Sequence, residues 1–267
     1  MKSQTLNIIA LTTMITVLPG CDDGLTLRKI CDEKPNLCSD MGADGHCNKQ
    51  RMEVIFNRYH EAKLPSDKNR YNLLIDVEKY SDCMALASQI EHIKLKEKKT
   101  FRVDGYLGSV AEIKRLSDAT RSSDYAPLLY YHWTRNSSTE ALDKFLALEG
   151  TKHIDTPELM YGLATFYVKR DLDKTIQLLY QSLKMYKQDQ EVNSEIYASL
   201  SSIFFKQEKY ANAYLWAKIS EMAGLENVNV EELKFEIGGM GKSTNALDDL
   251  AEDTYDSILD GNFKVPK

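Results

Sequence analysis

The five cysteines of this chain offer the most chemistry, because a thiol can be acylated, oxidised to a disulfide or bound to a metal. They are Cys21, Cys31, Cys38, Cys47 and Cys83. In a secreted protein an odd number of cysteines leaves one without a disulfide partner, and that one needs another role. The residues around Cys21 indicate what its role is.

Cys21 follows a segment typical of a secretory signal peptide. Lys2 makes the start positive, and Leu6 to Leu18 form an apolar stretch of 13 residues, shorter than the ~20 that a transmembrane helix needs. The residues Leu18-Pro19-Gly20-Cys21 resemble the lipobox of bacterial lipoproteins, in which the chain is cut before an acylated cysteine. The resemblance implies a signal peptide at 1–20 and lipidation of Cys21. An ordinary secreted protein with a cysteine near its cleavage site is the alternative.

The remaining cysteines form an even set, for which two disulfides are expected in an oxidising compartment. Three pairings are possible. The short interval from Cys31 to Cys38 contains Pro35, which suits a turn, and favours that pair together with Cys47–Cys83. A zinc site is less favoured, because the spacing is not C-x-x-C and no histidine recurs at ligand spacing. No metal or other cofactor is predicted.

The charge of the chain limits its partners. The full sequence has 34 basic and 40 acidic residues, and removal of 1–20 takes away Lys2, so the net charge becomes 33 − 40, or −7. This balance argues against nucleic acid and against a broadly basic membrane-binding surface. The 247 residues that remain of 267 can still form a single domain.

Residues 21–47 are rich in Asp, Gly and Cys and lack helical periodicity, so they are predicted to be a cysteine-rich lipidated tether, or stalk, pinned by disulfides. Within them, Asp40 to Gly45 superficially matches a calcium-binding loop. The match fails at the third position, Gly42, and at the twelfth, where Arg51 replaces the ligating glutamate. An ordinary Asp/Gly turn is the better interpretation.

From residue 48 the apolar side chains recur every three or four positions, which predicts an all-α chain. Residues 48–121 form an N-terminal helical region. Helix boundaries are expected at Pro65-Ser66-Asp67, Asp104-Gly105 and Ser122-Ser123-Asp124. The basic run Lys94, Lys96, Lys98, Lys99 and Arg102 is interpreted as the solvated end of a helix rather than a patch for anionic lipid.

Residues 122–225 contain an internal repeat. Leu129, Trp133, Ala141, Phe145 and Leu148 recur 34 residues later as Leu163, Tyr167, Thr175, Leu179 and Ser182. A third copy follows after a further 37 or 38 residues as Leu200, Phe204, Ala213, Ala217 and Ser220. This spacing predicts three helix pairs. The pattern resembles tetratricopeptide repeats, and the segment from Ala213 to Gly224 is also similar to Sel1-like repeats. The resemblance implies an α-solenoid, a stack of helix pairs.

Residues 226–267 are predicted to be a linker and a capping helix, in which Leu247, Leu250, Ala251 and Ile258 cover the repeats while Asp248, Asp249, Glu252 and Asp253 face water. The linker contains Gly238-Gly-Met-Gly241-Lys242-Ser243-Thr244, similar to a deviant phosphate-binding loop. No parallel strand unit surrounds it, and Val230 to Ile237 reads as either a short helix or a strand. Nucleotide binding is therefore not expected.

Catalytic motifs are not recognisable. The five histidines are His46, His60, His92, His132 and His153. They are scattered, with no HExxH motif and no G-x-S-x-G elbow, and are interpreted as surface or satisfied core residues. The chain is predicted not to be an enzyme. As a whole, it resembles a family of uncharacterised Gram-negative lipoproteins, through Cys21-Asp-Asp-Gly-Leu-Thr-Leu and the cysteine-rich segment.

These features predict a lipid-anchored envelope protein that faces the periplasm and binds a protein or peptide. Asp22 and Asp23 after the acylated cysteine favour the inner membrane over the outer one. The repeat alignment predicts a partner-binding surface on the first helix of each pair, at Tyr131, Tyr161, Thr165, Ser202, Phe205 and Lys206. An envelope hydrolase or small-ligand-binding lipoprotein is the alternative.

Overall fold

The computed structural model describes residues 24–41, 45–91, 96–241 and 243–266. These ranges contain twelve α-helices and no strand, which confirms the all-α prediction. The helices are α1 (Leu27–Glu33), α2 (Asn48–Lys63), α3 (Asp67–Ser88), α4 (Lys96–Thr120), α5 (Ala126–Asn136), α6 (Thr139–Ala147), α7 (Pro157–Tyr167), α8 (Leu172–Met185), α9 (Glu195–Lys206), α10 (Tyr210–Met222), α11 (Val230–Gly239) and α12 (Asn245–Leu259). None of them is both long enough and apolar enough to cross a bilayer.

The chain forms two compact units. The first comprises Met1–Pro65 and Asn72–Ile113, and the second comprises Ser66–Tyr71 and Lys114–Lys267. Each unit has its own buried side chains, so each is described separately. The predicted signal peptide and Cys21 lie outside the described residues.

Two disulfides hold the first unit together. Cys31 is bonded to Cys38, and Cys47 is bonded to Cys83. The favoured pairing is therefore confirmed. The first bridge ties α1 to the 3-10 turn Pro35–Leu37, and the second ties the start of α2 to α3.

The described residues of the segment predicted to be a stalk, 24–41 and 45–47, belong to the first unit and include a helix. Residues 27–33 form α1, which begins with Thr26 accepting a hydrogen bond from the Lys29 amide and packs against α2. Ile30 is fully buried, and Met41 is almost fully buried. Burial of Ile30 and Met41 removes apolar surface from water, and the contact between α1 and α2 holds this segment in the unit.

Arg58 also fixes this segment. Its guanidinium donates two hydrogen bonds to Asp40, at 2.7 and 2.8 Å, one to the carbonyl of Leu37 and others to Glu112. Burial by itself would lower the pKa of Arg58, but the bonds to Asp40 and Glu112 outweigh it and raise that pKa. Asp40, the first position of the calcium-like loop, is thus an ion-pair partner in a turn.

Two expectations for α4 need correction. A helix boundary was expected at Asp104-Gly105, yet α4 runs through both residues. A side chain at Gly105 would come within 2.8 Å of the Met84 methyl group, so this glycine lets α4 approach α3 closely. Arg102 is not solvated either: it is buried and donates to the Ala87 carbonyl at 3.1 Å.

The second unit is built from the three predicted helix pairs. α5 packs with α6, α7 with α8, and α9 with α10, and successive pairs touch through α5 and α7 and through α8 and α9. Thr156 caps α7 by accepting a hydrogen bond from the Leu159 amide, with Pro157 and Glu158 in the first turn, a combination typical of a helix start. The break at Ser122–Asp124 is likewise present, because α5 begins only at Ala126.

The last helix packs mainly against α10. Ala251 and Ile258 are buried there as expected. Asp248 does not face water, which corrects the prediction: it is half-buried and accepts a 2.6 Å hydrogen bond from the Tyr214 hydroxyl. A buried tyrosine hydroxyl needs such a partner, and Asp248 supplies it.

Gly162 allows the closest approach between two helix pairs. A Cβ atom at this position would lie 2.6 Å from the ring of Tyr130, which itself packs against Trp133 and Phe145. Gly162→Ala is therefore expected to lower the free energy of unfolding by about 1 to 2 kcal/mol, despite the better helix propensity of alanine. Gly108→Ala in α4 is the control, since nothing lies within 4 Å of its Cβ position. Urea unfolding in which Gly162→Ala is as stable as Gly108→Ala would contradict the tight contact.

Candidate functional site

A groove in the second unit is the main candidate site. α9, the α10–α11 connection and the start of α11 enclose about 380 Å³. The apolar part of its lining consists of Ala198, Phe205, Leu225, Val228 and Leu233. The polar part consists of Ser201, Ser202, Lys206, Glu226, Asn227, Asn229 and Glu232.

The amphipathic sequence of α9 explains one wall. Its apolar residues Ile196, Leu200 and Ile203, spaced by three or four, are buried in the core of the unit. Ser202 and Phe205 lie on the opposite side and are exposed. Phe205 keeps 45 % of its surface accessible, and its ring makes an edge contact with Tyr210 at 5.7 Å.

The end of α10 shapes the other wall. Gly224 has a φ of 81°, a conformation that favours glycine. The Gly224 amide donates to the Glu221 carbonyl and the Leu225 amide donates to Ser220, which together form a Schellman motif. The chain therefore reverses sharply after α10, and this turn brings Leu225 and the residues that follow it alongside α9.

The polar side chains of the groove are available for binding. Ser202, Lys206, Glu226, Asn227, Asn229 and Glu232 make no side-chain hydrogen bond or ion pair with any other residue in the described ranges. Ser201 is different, because its hydroxyl donates to the Ala213 carbonyl at 2.9 Å. The groove thus combines an exposed aromatic ring with unsatisfied donors and acceptors, a composition typical of binding surfaces.

The structure separates the six residues predicted to bind a partner. Three of them, Ser202, Phe205 and Lys206, lie together in the groove. Tyr161 and Thr165 line a different, smaller pocket of about 90 Å³ on α7.

Tyr131 is buried, so its prediction as a partner-binding residue is wrong. Only 5 % of its surface is exposed, because α5 buries residues on two sides. One side contains Leu129, which belongs to the main core of the unit, and the other contains His132, which contacts the end of α4.

A second pocket of about 310 Å³ lies beside α8 and contains a closed charge network. The Lys174 ammonium is 2.6 Å from the Glu149 carboxylate and 3.7 Å from the centre of the Tyr167 ring. The Tyr167 hydroxyl donates to the same carboxylate at 2.7 Å. Burial alone would raise the pKa of Glu149, but the hydrogen bonds from Lys174 and Tyr167 outweigh it and lower that pKa. No sequence motif links these residues, and their mutual pairing indicates a structural role.

His132 is a satisfied core residue. Asn136 donates to its Nδ1 at 2.8 Å, so the network assigns the proton to Nε2, which donates to the Thr120 hydroxyl at 3.1 Å. Thr120 in turn donates to the Leu116 carbonyl. Burial is the main reason that the pKa of His132 is lowered, with Arg121 acting in the same direction.

The buried neutral His132 predicts a specific pH dependence of stability. Its pKa is lower in the folded than in the unfolded chain, so its contribution is complete above the unfolded value of ~6.5 and is lost as the pH falls toward the folded value. The loss in free energy of unfolding between pH 7.5 and pH 5.5 is therefore expected to be smaller in His132→Gln than in the wild type. Urea unfolding at both pH values measures it, and equal losses would contradict this role.

The described residues show no arrangement of three or more His, Cys, Asp or Glu side chains that could hold a metal ion. Val230 to Ile237, the residues before the segment that resembles a phosphate-binding loop, belong to α11, so they form a helix and not a strand. Gly238 and Gly239 are the last residues of that helix, and Lys242 lies outside the described residues. His92 and Lys94 also lie outside them.

Comparison with known proteins gives one match. Residues 18–218 match the model of a family described as "Protein of unknown function (DUF2989)". This range includes the four disulfide-bonded cysteines and α9, and it ends before the α10–α11 connection. No curated protein and no solved structure matches the chain.

Proposed function

Because this chain belongs to the DUF2989 family, whose description assigns no activity, we propose a function from its own residues. The protein is a lipoprotein of the bacterial cell envelope, anchored through Cys21 and facing the periplasm. Its helix pairs serve as a scaffold that binds a protein or peptide, and it is not an enzyme. Neither nucleic acid nor nucleotide is a partner.

The groove beside α9 is the observation that carries this proposal. Phe205 is exposed at its surface, and aromatic side chains in such positions contribute most of the binding energy in many interfaces. The unpaired side chains of Asn227 and Asn229 can donate to and accept from the backbone of an extended segment. The groove therefore suits a peptide that inserts an apolar side chain against Phe205.

A solenoid of tetratricopeptide type is the proposed arrangement of the second unit. Its support is the contact between α5 and α7, the first helices of two successive pairs, and the contact between α8 and α9. In such arrays the first helices line the concave side, so this proposal assigns Ser202 and Phe205 of α9 to that side.

Anchoring is proposed from the residues before Cys21, which resemble a lipobox. Asp22 and Asp23 favour retention at the inner membrane. Lipid attachment gives stable anchoring when two or more acyl chains are present.

A small-ligand-binding or hydrolytic lipoprotein is the second candidate. The volume of the groove, about 380 Å³, lies within the range of roughly 300 to 1,000 Å³ that is usual for small-molecule sites. If the groove holds a small molecule, filling it with Ser202→Trp should abolish binding of that molecule. The same substitution should then leave the proteins recovered with this chain unchanged. Recovery of one defined protein crosslinked through the groove would contradict this second candidate.

The exposed ring of Phe205 provides the mutational test. Phe205→Ala is expected to weaken binding of the partner about 30-fold, equivalent to ~2 kcal/mol, because a central aromatic contact is lost. The melting temperature is expected to change little, since nearly half of the ring is exposed. Affinity capture from crosslinked cells followed by mass spectrometry measures the loss.

Phe235→Ala is the matched control. Phe235 is also a phenylalanine, it is 79 % exposed on α11, and it does not line the groove. Equal partner recovery by Phe205→Ala, Phe235→Ala and the wild type would show that the partner binds elsewhere.

A further inference from the structure

The link between the proposed anchor and the folded first unit is very short. α1 begins at Leu27, and Thr26 caps it, so only residues 22–26 separate Cys21 from the first helix. Consecutive Cα atoms are about 3.8 Å apart, so six such steps from Cys21 to Leu27 span at most about 23 Å. A stalk of 26 residues would instead reach roughly 90 Å.

α1 cannot move away from the unit to lengthen this link. Ile30 is fully buried, Cys31 is bonded to Cys38, and Arg58 holds Asp40 and the Leu37 carbonyl. An acylated Cys21 in the headgroup region would therefore keep the first unit close to the bilayer surface. The surface around α1 is therefore the part of the first unit that can come nearest to that bilayer.

That surface is locally basic. We name it the α1 face, and it consists of Leu25, Arg28, Lys29, Lys34, Lys63 and Leu64. The ammonium groups of Lys34 and Lys63 both lie over the ring of Tyr59, at 5.2 and 6.0 Å from its centre, which brings the end of α2 beside α1.

None of the four cations of the α1 face forms an ion pair within the described ranges. The carboxylates in the same segments are Asp32 and Glu33, exposed on α1, and Glu61, half-buried near the end of α2, so the local balance is four positive charges against three negative. The whole chain, in contrast, has a net charge of −6. The link contributes Asp22 and Asp23, so attraction to an anionic surface depends on the cations of α1 and α2.

We propose that the α1 face lies against the anionic phospholipid headgroups of the membrane in which Cys21 is anchored. The proposal rests on the proposed lipidation of Cys21. Lysine and arginine place their charges among the phosphates while their alkyl chains, with Leu25 and Leu64, contact the apolar boundary. Because the anchor keeps the face at high effective concentration, a weak attraction is enough to hold it there.

The test uses the acylated full chain in vesicles of phosphatidylethanolamine and phosphatidylglycerol. An amine-reactive probe labels the lysines, and mass spectrometry gives the rate at each position. We expect Lys29, Lys34 and Lys63 to be labelled at least fivefold more slowly than in detergent. Lys169, Lys184 and Lys187, which are exposed in the second unit, serve as internal controls and are expected to keep their rates.

Two variants separate the contributions of tether length and charge. Twenty Gly/Ser residues inserted between Asp23 and Gly24 extend the link by about 25 Å on average, and labelling of Lys29 and Lys34 is expected to recover. Arg28→Gln with Lys63→Gln removes two cations and is expected to increase labelling of the same two lysines. Lys169→Gln with Lys184→Gln is the matched control and is expected to change nothing.

The outcomes distinguish this inference from the anchoring proposal. Intact mass of the same preparation reports acylation at Cys21, and absence of acyl chains would overturn both. Acylated protein with unprotected Lys29, Lys34 and Lys63 would overturn the α1 face alone. Protection that persists with the inserted spacer and with the charge variant would also contradict it.

Discussion

Cys21→Ser is expected to leave a protein that is neither acylated nor cut by the lipoprotein signal peptidase. Serine cannot form the thioether to diacylglycerol, and the lipoprotein signal peptidase requires that modification before it cuts. The variant protein should therefore keep residues 1–20 and carry no acyl chain. Intact mass spectrometry measures both properties, and membrane fractionation shows where the wild type is retained.

The control for this experiment is Cys31→Ser with Cys38→Ser, which removes two other thiols and leaves Cys21 in place. That variant is expected to be acylated and cleaved normally. A Cys21→Ser protein that is still processed to a lipidated form of normal size would contradict the anchoring proposal.

Loss of the bridge between Cys47 and Cys83 has the largest expected effect on stability. The two cysteines are separated by 36 positions in the sequence, and a disulfide closing a loop of this length restricts the unfolded chain by roughly 4 kcal/mol. Cys47→Ala with Cys83→Ala should lower the free energy of unfolding of the first unit by this amount. Urea unfolding followed by hydrogen exchange in α2 and α3 measures it.

The shorter bridge provides the comparison. Cys31 and Cys38 are seven positions apart, and the same argument gives roughly 2 kcal/mol for their disulfide. In protein purified without reductant, all four cysteines should also resist alkylation. Two or more freely alkylated thiols would contradict the two disulfides. If removing the short bridge lowers the free energy of unfolding as much as removing the long one, the entropic account of their stabilisation fails.

The sequence predicts local features of the fold well. The 34-residue spacing of Leu129, Leu163 and their equivalents predicts the three helix pairs, because apolar periodicity reports which face of a helix is buried. Thr156 and Pro157 predict the start of α7 because capping depends only on neighbouring residues. The pairing of the cysteines, which the short interval from Cys31 to Cys38 and its turn residue Pro35 favour, is confirmed.

Features that depend on distant contacts are not predictable in this way. Gly105 is typical of a helix boundary in the sequence, but it lies inside α4 because Met84 of α3 occupies the space a side chain would need. The described part of the predicted stalk contacts α2, where Arg58 binds Asp40, 18 residues earlier in the chain. In both cases tertiary packing overrides a local preference.

The candidate site was predicted in part for the same reason. Ser202, Phe205 and Lys206 follow from the exposed side of α9, which periodicity defines. Tyr131 occupies a similar register in α5 but is buried, and its neighbour His132 contacts Thr120 at the end of α4, a second packing side of α5 that no periodicity reveals. The opposite wall runs from Leu225, the last residue of the predicted repeats, into the segment predicted to be a linker and a capping helix, so its place beside α9 emerges only in the folded chain.

Site-specific photocrosslinking in living cells tests the central claim most directly. A photoreactive phenylalanine analogue at Ser202, inside the groove, should give one defined crosslinked protein or peptide, identified by mass spectrometry. The same analogue at Asp143, exposed on α6 and outside the groove, should not give it, and Phe205→Ala should abolish it. No crosslink at Ser202, or the same product from both positions, would contradict a partner-binding groove.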